Sequence, residues 1–485
     1  MNSEEFRKHG KAMIDFIADF LETIEKRRVV PDVKPGFLLH QLPNEAPSQS
    51  ENFDAIFEDF EKKVLPGVTL WGSPHFHAFF PSSISYPGIL GELMSASLAG
   101  VGFNWLCNPS STELEIMVLD WLGKMIDLPK EFLAMTPARE DSRRGGGVIQ
   151  GTASEATLVA VLAARTATLT QLQNEHPGVA EGVLMSKMVA YTSKHAHSSV
   201  EKAARIAGVK LRSVETDDAG SLRGEQFLEC LKADKEAGLI PFFLCATLGT
   251  TTLCSYDNLK ELGPLAVKEK MWLHVDAAYA GPAFTCPEMR APMQGIELAD
   301  SFNCNAHKMM MTNFDCAPMW VKDRDALMRA FTLERIYYPD DDTGVVTEFR
   351  NWQIPLGRRF RSLKLWFVIR SYGIEGIQKE MREHVRLAKV FEEMVKQDDD
   401  FELVVDTNFG LVCFRYKGSE EDNKNLVDIL NAEGKILVTP GIHKGRRYTR
   451  FCSIIGTKDC HLHQAWEAIT EAKAIMLGRK KSEAT

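Results

Sequence analysis

Residues 188–278 contain four segments that decide the fold: MVAYTS (188–193), SVEKAARIA (199–207), LIPFFLCATLG (239–249) and WLHVDAA (272–278). We read the second segment as a helix and the other three, which are apolar runs, as strands. Strands that alternate with helices along a chain typically form a parallel sheet covered on both faces. This stretch therefore predicts an α/β domain, with ligands bound beyond the carboxyl ends of its strands.

The same alternation extends toward the N-terminus, and a different pattern follows after about residue 370. Upstream lie a helix through TELEIMVLDWLGKMI (112–126), the run GGGVIQG (145–151) and a helix through SEATLVAVLAARTATL (154–169). Downstream, FELVVD, LVCFRY, ILVTPG and YTRFCSII read as strands, and NKNLVDILNAEG reads as a helix closed by Gly434. We predict three parts: a helical N-terminal arm (1–85), a large α/β domain (86–365) and a small α+β domain (366–485).

The N-terminal arm is interrupted by proline-containing loops and shows no core of its own. Its first segment carries an apolar helical stripe that includes Phe16, Ile17 and Phe20, while Asp15 and Asp19 interrupt any continuous apolar run. We therefore predict an amphipathic helix, neither a signal peptide nor a transmembrane span. The rest of the chain or a partner subunit must cover its apolar face.

Composition excludes several classes of protein. The 485 residues are 45% hydrophobic and 25% charged, which is ordinary globular usage, and the net charge of −9 gives no electrostatic footprint for nucleic acid or an anionic membrane. The ten cysteines are scattered without a C-x-x-C pair, so neither a zinc ribbon nor a disulfide framework is indicated. Reduced thiols in a cytoplasmic protein fit best.

GGGVIQGTASEATL (145–158) is the first candidate site. A glycine-rich turn leads into Thr152, Ala153 and Ser154 at a helix start, where exposed amides and hydroxyls can bind an anion. The alternative is a capping box formed by Thr152 and Glu155, which needs no ligand. Taken alone, the stretch favours the cap.

Two charged residues follow predicted strands or lie in apolar surroundings. Asp276 ends the strand WLHVD, where a carboxylate can pair with a cationic ring nitrogen in the ligand crevice, although a single aspartate there more often caps the next turn. Lys308 lies in the apolar, sulfur-rich run NAHKMMMTNF, and burial there would make its amine nucleophilic. The alternative is that the Lys308 side chain extends along the apolar surface and places its ammonium group in water.

Two H-x-H pairs, His75–His77 and His195–His197, raise the possibility of a metal site. In extended chain both imidazoles of a pair share a face, but no carboxylate or cysteine at ligand spacing accompanies either pair. We therefore expect no metal. For His197 the better functional hypothesis is a planar ring packed on a cofactor, and the alternative is a plain histidine at a helix entry.

FTLERIYYPDDDTGVV (331–346) is polar and contains two tyrosines, proline and glycine. This composition is typical of a surface loop that could deliver a phenol to a site on closure. Taken alone, such tyrosines more often anchor a loop to the protein surface. The loop therefore supports a functional role only in combination with the other candidate segments.

Together with SPHFHAFFPSS (73–83), STELEIMVLDWLGKM (111–125), ATLGTTTLCSYDN (246–258) and NWQIPLGRRFRSLKLWF (351–367), these stretches resemble a family of pyridoxal-phosphate-dependent decarboxylases. This is the group that includes dopa, tyrosine and histidine decarboxylases, and the likeness runs from about residue 3 to 475. NAHK, HVDAAYAG and IPLGRRFRS are its most specific motifs. The resemblance implies the aspartate-aminotransferase-like fold, pyridoxal 5′-phosphate as cofactor, and a homodimer with shared active sites.

Residue roles follow from the resemblance alone. Lys308 would carry the cofactor, Asp276 would hold its ring nitrogen protonated, His197 and Ala278 would lie on its two faces, and Tyr337 would be the loop tyrosine that protonates the substrate carbon. The phosphate and ring would contact Thr152, Ala153, Ser154, Thr251, Asn305 and His307. The substrate would contact Trp71, Phe79, Phe80, Pro81, Ser82, Gly357 and Arg450, with Val101 and Phe103 reaching over from the partner.

The resemblance also narrows the reaction. Relatives with Phe at the position of Tyr337, or Asn at the position of His197, tend to be aldehyde synthases, whereas both decarboxylase residues are present here. Gly357 is the form found in aromatic-substrate relatives. We expect decarboxylation of an aromatic L-amino acid in an amine pathway such as catecholamine biosynthesis; the alternatives are an oxygen-using aldehyde synthase, a non-catalytic relative and, more remotely, a metalloenzyme.

Departures from the family pattern lie around the expected substrate pocket. Phe79 and Ser82 stand where many relatives have Tyr and Thr, and Met309 follows the lysine where Trp is usual. A buried pocket that fails to match a substrate hydroxyl binds that substrate less well by several kcal/mol. The preference among dopa, tyrosine, tryptophan and 5-hydroxytryptophan is therefore left open.

Overall fold

The structure, a computed structural model, describes residues 1–333 and 346–483. Its α-helices are α1 (Ser3–Glu22), α2 (Phe53–Asp59), α3 (Tyr86–Ser97), α4 (Pro109–Met125), α5 (Ala153–Glu175), α6 (Glu181–Lys187), α7 (Ser199–Ala207), α8 (Gly224–Glu236), α9 (Leu259–Lys268), α10 (Ala306–Met309), α11 (Arg324–Phe331), α12 (Arg361–Gln397), α13 (Glu420–Glu433) and α14 (Asp459–Glu483). Its strands are β1 (Gly146–Gln150), β2 (Met188–Ser193), β3 (Lys210–Val214), β4 (Ile240–Thr247), β5 (Trp272–Asp276), β6 (Ser301–Asn303), β7 (Ala317–Val321), β8 (Phe401–Leu403), β9 (Leu411–Tyr416), β10 (Thr439–His443) and β11 (Arg446–Cys452).

The chain forms two compact units. The larger unit is Ser82–Arg386, and the smaller one combines Met1–Pro81 with Leu387–Thr485, so that the boundary between them falls inside α12. This grouping joins the two ends of the chain, whereas the sequence suggested a separate arm and C-terminal domain. The three-part division therefore stays a prediction.

The larger unit is built on a seven-stranded sheet with the order β1-β7-β6-β5-β4-β2-β3. The pairs β2–β3, β2–β4, β4–β5 and β5–β6 are parallel, while β7 runs antiparallel to both of its neighbours. The mostly parallel α/β sheet expected from the sequence is confirmed. The antiparallel insertion of β7 between β1 and β6 was not predicted.

Helix α5 packs closely on this sheet because its buried face consists largely of small residues. Ala156, Ala160, Ala163 and Ala164 are buried there and belong to one apolar core with residues of β2 and β4. Alanine favours the helix and leaves room for close approach to the sheet. The N-terminus of α5 is thereby fixed directly after β1.

The smaller unit contains an antiparallel sheet with the order β10-β11-β9-β8. Its core is formed by buried side chains such as Phe391, Phe414, Phe451 and Ile469, where the rings of Phe391 and Phe451 stack with centroids 3.7 Å apart. Gly434 closes α13 in the left-handed conformation at φ 66°, as the sequence indicated. The small α+β arrangement of strands and helix expected here is confirmed, and the structure adds that its sheet is antiparallel.

Helix α1 is amphipathic, as predicted. None of its residues is fully buried, and its apolar stripe is half-buried, with Phe16 packed edge-on against Phe57 at a centroid distance of 5.0 Å. Within residues 1–333 and 346–483, no helix has both the length and the apolar composition needed to cross a membrane.

Candidate active site

Three parallel strands of the larger unit bring polar residues to one edge of the sheet. Strands β4, β5 and β6 end at Thr247, Asp276 and Asn303, and the strand register pairs Asp276 with both of the others. Because carboxyl ends of parallel strands meet at one edge, these side chains share the crevice where such sheets bind ligands.

Asp276 is held in a defined orientation. It is 3% exposed, and its Oδ1 accepts hydrogen bonds from the Ala278 amide at 3.0 Å and from Asn303 Nδ2 at 3.3 Å. The turn-capping reading of Asp276 is thus partly right, since the bond to Ala278 is a cap. Asn303, which the sequence did not single out, contacts Asp276 only because β6 lies beside β5.

Lys308 lies on α10, the short helix after β6. It is half-buried, whereas every other residue from 301 to 312 is buried. Its neighbour His307 contacts the backbone of Cys316 through Nδ1, the amide at 3.0 Å and the carbonyl oxygen at 2.9 Å. Burial together with the charge of Lys308 lowers the pKa of His307 to about 4. A lysine at the edge of a buried segment, beside a neutral histidine, is suited to nucleophilic chemistry.

His197 lies within electrostatic reach of both charged residues. Partial desolvation lowers the pKa of its imidazole, the negative charge of Asp276 opposes this change, and the positive charge of Lys308 adds to it. The residue as a whole is exposed, and its Nδ1 contacts Ser199. The structure therefore brings Lys308, Asp276 and His197 together, as the sequence analysis expected.

The N-terminus of α5 carries both features that the sequence left open. The Thr152 hydroxyl accepts the Glu155 amide at 3.2 Å, and Glu155 Oε2 accepts the Gly151 amide at 2.8 Å, so the cap exists. The amides of Ala153 and Ser154 belong to the first helical turn and have no acceptor within the helix. The cap and an anion site are therefore compatible.

Asn305 adds an unsatisfied polar group to the larger unit. It is 4% exposed, and its Oδ1 has no hydrogen-bond partner among the described residues. Buried side-chain amides are normally hydrogen-bonded, so an unsatisfied one marks a place where a ligand can bind. Thr251 and Ala278, also predicted to contact the cofactor, are half-buried.

Serines that the sequence analysis passed over hold the segment around Lys308. The Ser83 amide donates to the His307 carbonyl at 2.7 Å, the Ser83 hydroxyl to the Thr312 carbonyl at 3.0 Å, and the Ser85 hydroxyl to the Met311 carbonyl at 2.6 Å. The Ser82 hydroxyl contacts the His307 carbonyl at a longer 3.4 Å. Only the pattern SSIS in residues 82–85 could have suggested this role.

Gly357 and Val101 lie together in the larger unit. A side chain at position 357 would first meet Val101 Cγ1, at 3.4 Å, and the Gly102 amide donates to the Arg358 carbonyl at 3.1 Å. Arg358 in turn forms a fully buried ion pair with Glu115. The loop containing Val101 and Phe103 is therefore held next to Gly357 of the same chain, and its predicted reach into a partner's site stays a prediction.

The remaining substrate candidates belong to the smaller unit. Trp71 and Phe79 stack with centroids 5.6 Å apart, and Phe79 has a left-handed backbone at φ 56°. Arg450 donates to the Phe79 carbonyl at 2.9 Å and lies 5.2 Å from the ring centroid of Phe80. Arg450 thus supports this aromatic segment, which continues to Pro81, and the substrate contacts of these residues stay predictions.

Two further expectations concern Tyr337 and a metal site. Tyr337 lies outside the described residues. In the part of the chain that the structure describes, no group of three or more His, Cys, Asp or Glu side chains is arranged to hold a metal ion.

Comparison with known proteins identifies the family. The model of the pyridoxal-dependent decarboxylase conserved domain matches residues 35–417. The chain belongs to the pyridoxal-dependent decarboxylase family. Within this family, it is 50% identical over 489 residues to an aromatic-L-amino-acid decarboxylase from Bos taurus, covering 100% of this chain and 99% of the relative.

Solved structures of two relatives have the same fold. One is Oryza sativa TDC with PLP and tryptamine, which matches with a TM-score of 0.93 and 38% identity over 98% of this chain and 99% of that one. Another is Rhodiola rosea 4-hydroxyphenylacetaldehyde synthase, with a TM-score of 0.88 and 36% identity over 97% and 98% of the two chains. Similarity of overall structure therefore does not distinguish decarboxylation from aldehyde synthesis.

The residues of this family member fit pyridoxal phosphate. Lys308 offers an amine, Asp276 a buried carboxylate at a strand end, and the start of α5 free amides for an anion. Asn305 supplies the unsatisfied buried amide. An amine, a carboxylate and an anion site are the three attachments that the cofactor's carbonyl, ring nitrogen and phosphate require.

Proposed function

We propose that this protein is a pyridoxal-phosphate-dependent decarboxylase that converts an aromatic L-amino acid, such as dopa, tyrosine or 5-hydroxytryptophan, to its amine and CO₂. The observation that carries the proposal is the convergence of Lys308, Asp276 and His197 at the carboxyl ends of parallel strands. Relatives named aromatic-L-amino-acid decarboxylases, 46–50% identical to this chain, support the substrate class.

The chain's own residues have separable tasks in this reaction. When bound, pyridoxal phosphate supplies the electron sink that accepts the electrons left when CO₂ departs. Lys308 would anchor the cofactor through its amine. Asp276, oriented by Ala278 and Asn303, would hold the ring nitrogen and favour its protonated state. The start of α5 and Asn305 would hold the phosphate.

The final proton must reach the substrate α-carbon. We assign this proton to the phenol of Tyr337, as the family resemblance implies. Changing Tyr337 to Phe should leave cofactor binding intact and shift the products from amine toward aldehyde. Unchanged amine output in that variant would refute the assignment.

A substrate panel tests the proposal directly. Purified protein is incubated with dopa, tyrosine, tryptophan, 5-hydroxytryptophan and histidine while amine, CO₂, aldehyde and peroxide are quantified. We expect equal amounts of amine and CO₂ from one or more aromatic substrates, with histidine the poorest. No turnover of any aromatic amino acid by protein that has bound the cofactor would contradict the proposal.

The alternative is an aromatic aldehyde synthase, which the similarity to the Rhodiola rosea enzyme keeps open. Such an enzyme consumes oxygen and releases aldehyde, ammonia and peroxide together with CO₂. In the same panel, stoichiometric peroxide and aldehyde with little amine would establish this alternative.

We further propose a homodimer, because α3 has an apolar face that nothing in the described residues covers. Leu90, Leu93, Met94 and Leu98 form one helical stripe and are 46–54% exposed. Beside this stripe the helix packs so closely on α12 that a Cβ at Gly91 would lie 2.6 Å from the Lys364 Cα. A soluble protein rarely exposes such a stripe, and a second copy of this chain would cover it.

Sedimentation of two variants tests the dimer. Leu93→Glu should shift the protein toward monomer, since it places a charge in the centre of the stripe. Val267→Glu, at an exposed apolar residue on α9, is the matched control and should leave the dimer intact. A wild-type monomer at micromolar concentration would contradict the proposal.

We also place the protein in the cytoplasm and in an amine-forming pathway such as catecholamine biosynthesis. The described cysteines are all free thiols, eight of them not exposed, which is compatible with a reducing compartment. Fractionation of cells and amine profiles of a knockout would test the two assignments.

A further inference from the structure

His197 directly precedes a helix whose first residue contacts its ring. Helix α7 begins at Ser199, which is 5% exposed, with Ser198 at the N-cap. The Ser199 backbone amide lies 3.1 Å from His197 Nδ1, and the Ser199 hydroxyl lies 2.9 Å from the same atom. The histidine therefore satisfies one of the amides that a helix start leaves without a partner.

This contact determines where the imidazole carries its proton. A backbone N–H can only donate, so Nδ1 must present its lone pair to Ser199. In a neutral imidazole the proton is then on Nε2. The hydroxyl of Ser199 can donate to the same lone pair, which strengthens this preference.

The surroundings also disfavour a charged ring. Protonating Nδ1 would break the bond from the Ser199 amide and place a cation at the positive end of the α7 dipole. The charged groups that face His197 are Lys308, which opposes protonation, and Asp276, which favours it. Desolvation acts in the same direction as Lys308.

We propose that Ser199 is a positioning residue that holds His197 as a neutral imidazole with its proton on Nε2. His197 then offers a hydrogen bond from Nε2 to the reacting groups and is not the source of the net proton. The inference rests on the proposed function for its consequence, although not for the tautomer itself. A different acid, which we assign to Tyr337, must supply the proton to the substrate carbon.

Nitrogen NMR of histidine-labelled protein tests the tautomer. The two ring nitrogens of His197, assigned by comparison with His197→Gln, should show a protonated Nε2 and an unprotonated Nδ1 at neutral pH, with and without pyridoxal phosphate. A proton on Nδ1 in the wild-type protein would overturn the inference, whatever the enzyme's activity.

Ser199→Asp tests the cause of the preference. A carboxylate beside Nδ1 accepts a proton from the ring, so the pKa of His197 should rise by about one unit or more. Ser198→Asp is the matched control, because it adds the same charge at the exposed neighbouring residue, whose side chain makes no cap hydrogen bond. An equal rise in both variants would overturn the role of Ser199.

Ser199→Ala keeps the backbone amide and removes only the hydroxyl. His197 should retain the proton on Nε2 in this variant, and a change of tautomer would contradict the role of the amide. Because a buried carboxylate in Ser199→Asp can impair folding, this variant provides an independent measurement on a folded protein.

Kinetics separate this inference from the proposed function. In Ser199→Asp, the acidic limb of the plot of kcat against pH for amine formation should move to higher pH. The shift should equal the rise in the His197 pKa measured by NMR, and KM should change less. An acidic limb that stays in place while the NMR pKa moves would contradict the need for a neutral His197 ring in the reaction. Absence of amine in every variant, with the expected tautomer, would refute the proposed function and leave the positioning role standing.

Discussion

The two H-x-H pairs share a sequence pattern and differ in nearly every physical property. His77 is fully buried, stacks on Phe451 at a centroid distance of 3.9 Å and contacts the Cys452 carbonyl through Nδ1 at 3.0 Å. His197 is exposed and contacts the Ser199 amide through Nδ1. Because a carbonyl accepts and an amide donates, the two rings carry their protons on opposite nitrogens.

The first histidines of the pairs differ in the same way. His75 lies beside His461 with ring centroids 5.2 Å apart, and His461 contacts Glu25 at 3.1 Å. His195 contacts the Thr252 hydroxyl at 2.8 Å. The pair in the smaller unit is part of a packed core, whereas the pair in the larger unit lies at the ends of parallel strands. Placement in the fold, and not the motif, decides which histidine faces Lys308 and Asp276.

Lys308→Ala should have the largest effect, since it removes the proposed cofactor anchor. We expect loss of the visible absorbance of the bound cofactor and a fall in kcat of more than about 100-fold. Lys194→Ala is the control, because its exposed ion pair with Glu215 contributes little to stability. A Lys308→Ala variant with the wild-type spectrum and turnover would contradict the assignment of the chemistry to Lys308, Asp276 and His197.

Replacing each second histidine by Phe sharpens the comparison. His197→Phe should lower kcat by about 100-fold or more, since it removes a donor at the reacting groups. His77→Phe should leave kcat within about twofold and cost about 1–3 kcal/mol of unfolding free energy, because the Cys452 carbonyl loses its donor. Steady-state kinetics and urea denaturation of both variants measure the contrast, and similar losses of kcat would remove it.

A smaller effect should be visible in the pH dependence of stability. Burial lowers the pKa of His77 to about 3, below its value of about 6.5 in the unfolded chain. Between these two pKa values the unfolded state binds more protons than the folded state. The contribution of His77 to stability is therefore lost as pH falls. From about pH 7.5 to pH 5 the wild type should lose about 2 kcal/mol more than His77→Phe. Parallel curves for the two proteins in urea denaturation would contradict this.

The sequence predicted the parts of the site that depend on local pattern. Asp276 could be placed at a strand end and Lys308 in an apolar run, and the family resemblance then linked them to His197. Gly434 could be recognised as a helix end because only a left-handed residue closes a helix in this way.

Other features depend on contacts between segments that are distant in the sequence. Local sequence patterns do not predict those contacts. Asn303 reaches Asp276 because of strand register, and Ser83 and Ser85 bind carbonyls more than 220 residues away along the chain. The apolar run of β7 does not reveal its antiparallel direction. The Ser199 contact is local, yet its effect on the tautomer of His197 follows only from the geometry at Nδ1.

Peptide mapping after borohydride reduction tests most directly whether Lys308 carries the cofactor. Reduction converts the bond between the cofactor and its lysine into a stable amine, and mass spectrometry then locates the modified residue. We predict that the label lies on Lys308, and that prior incubation with an aromatic substrate reduces the labelling. A label on another lysine, or no label on protein that shows the cofactor's absorbance, would contradict the account.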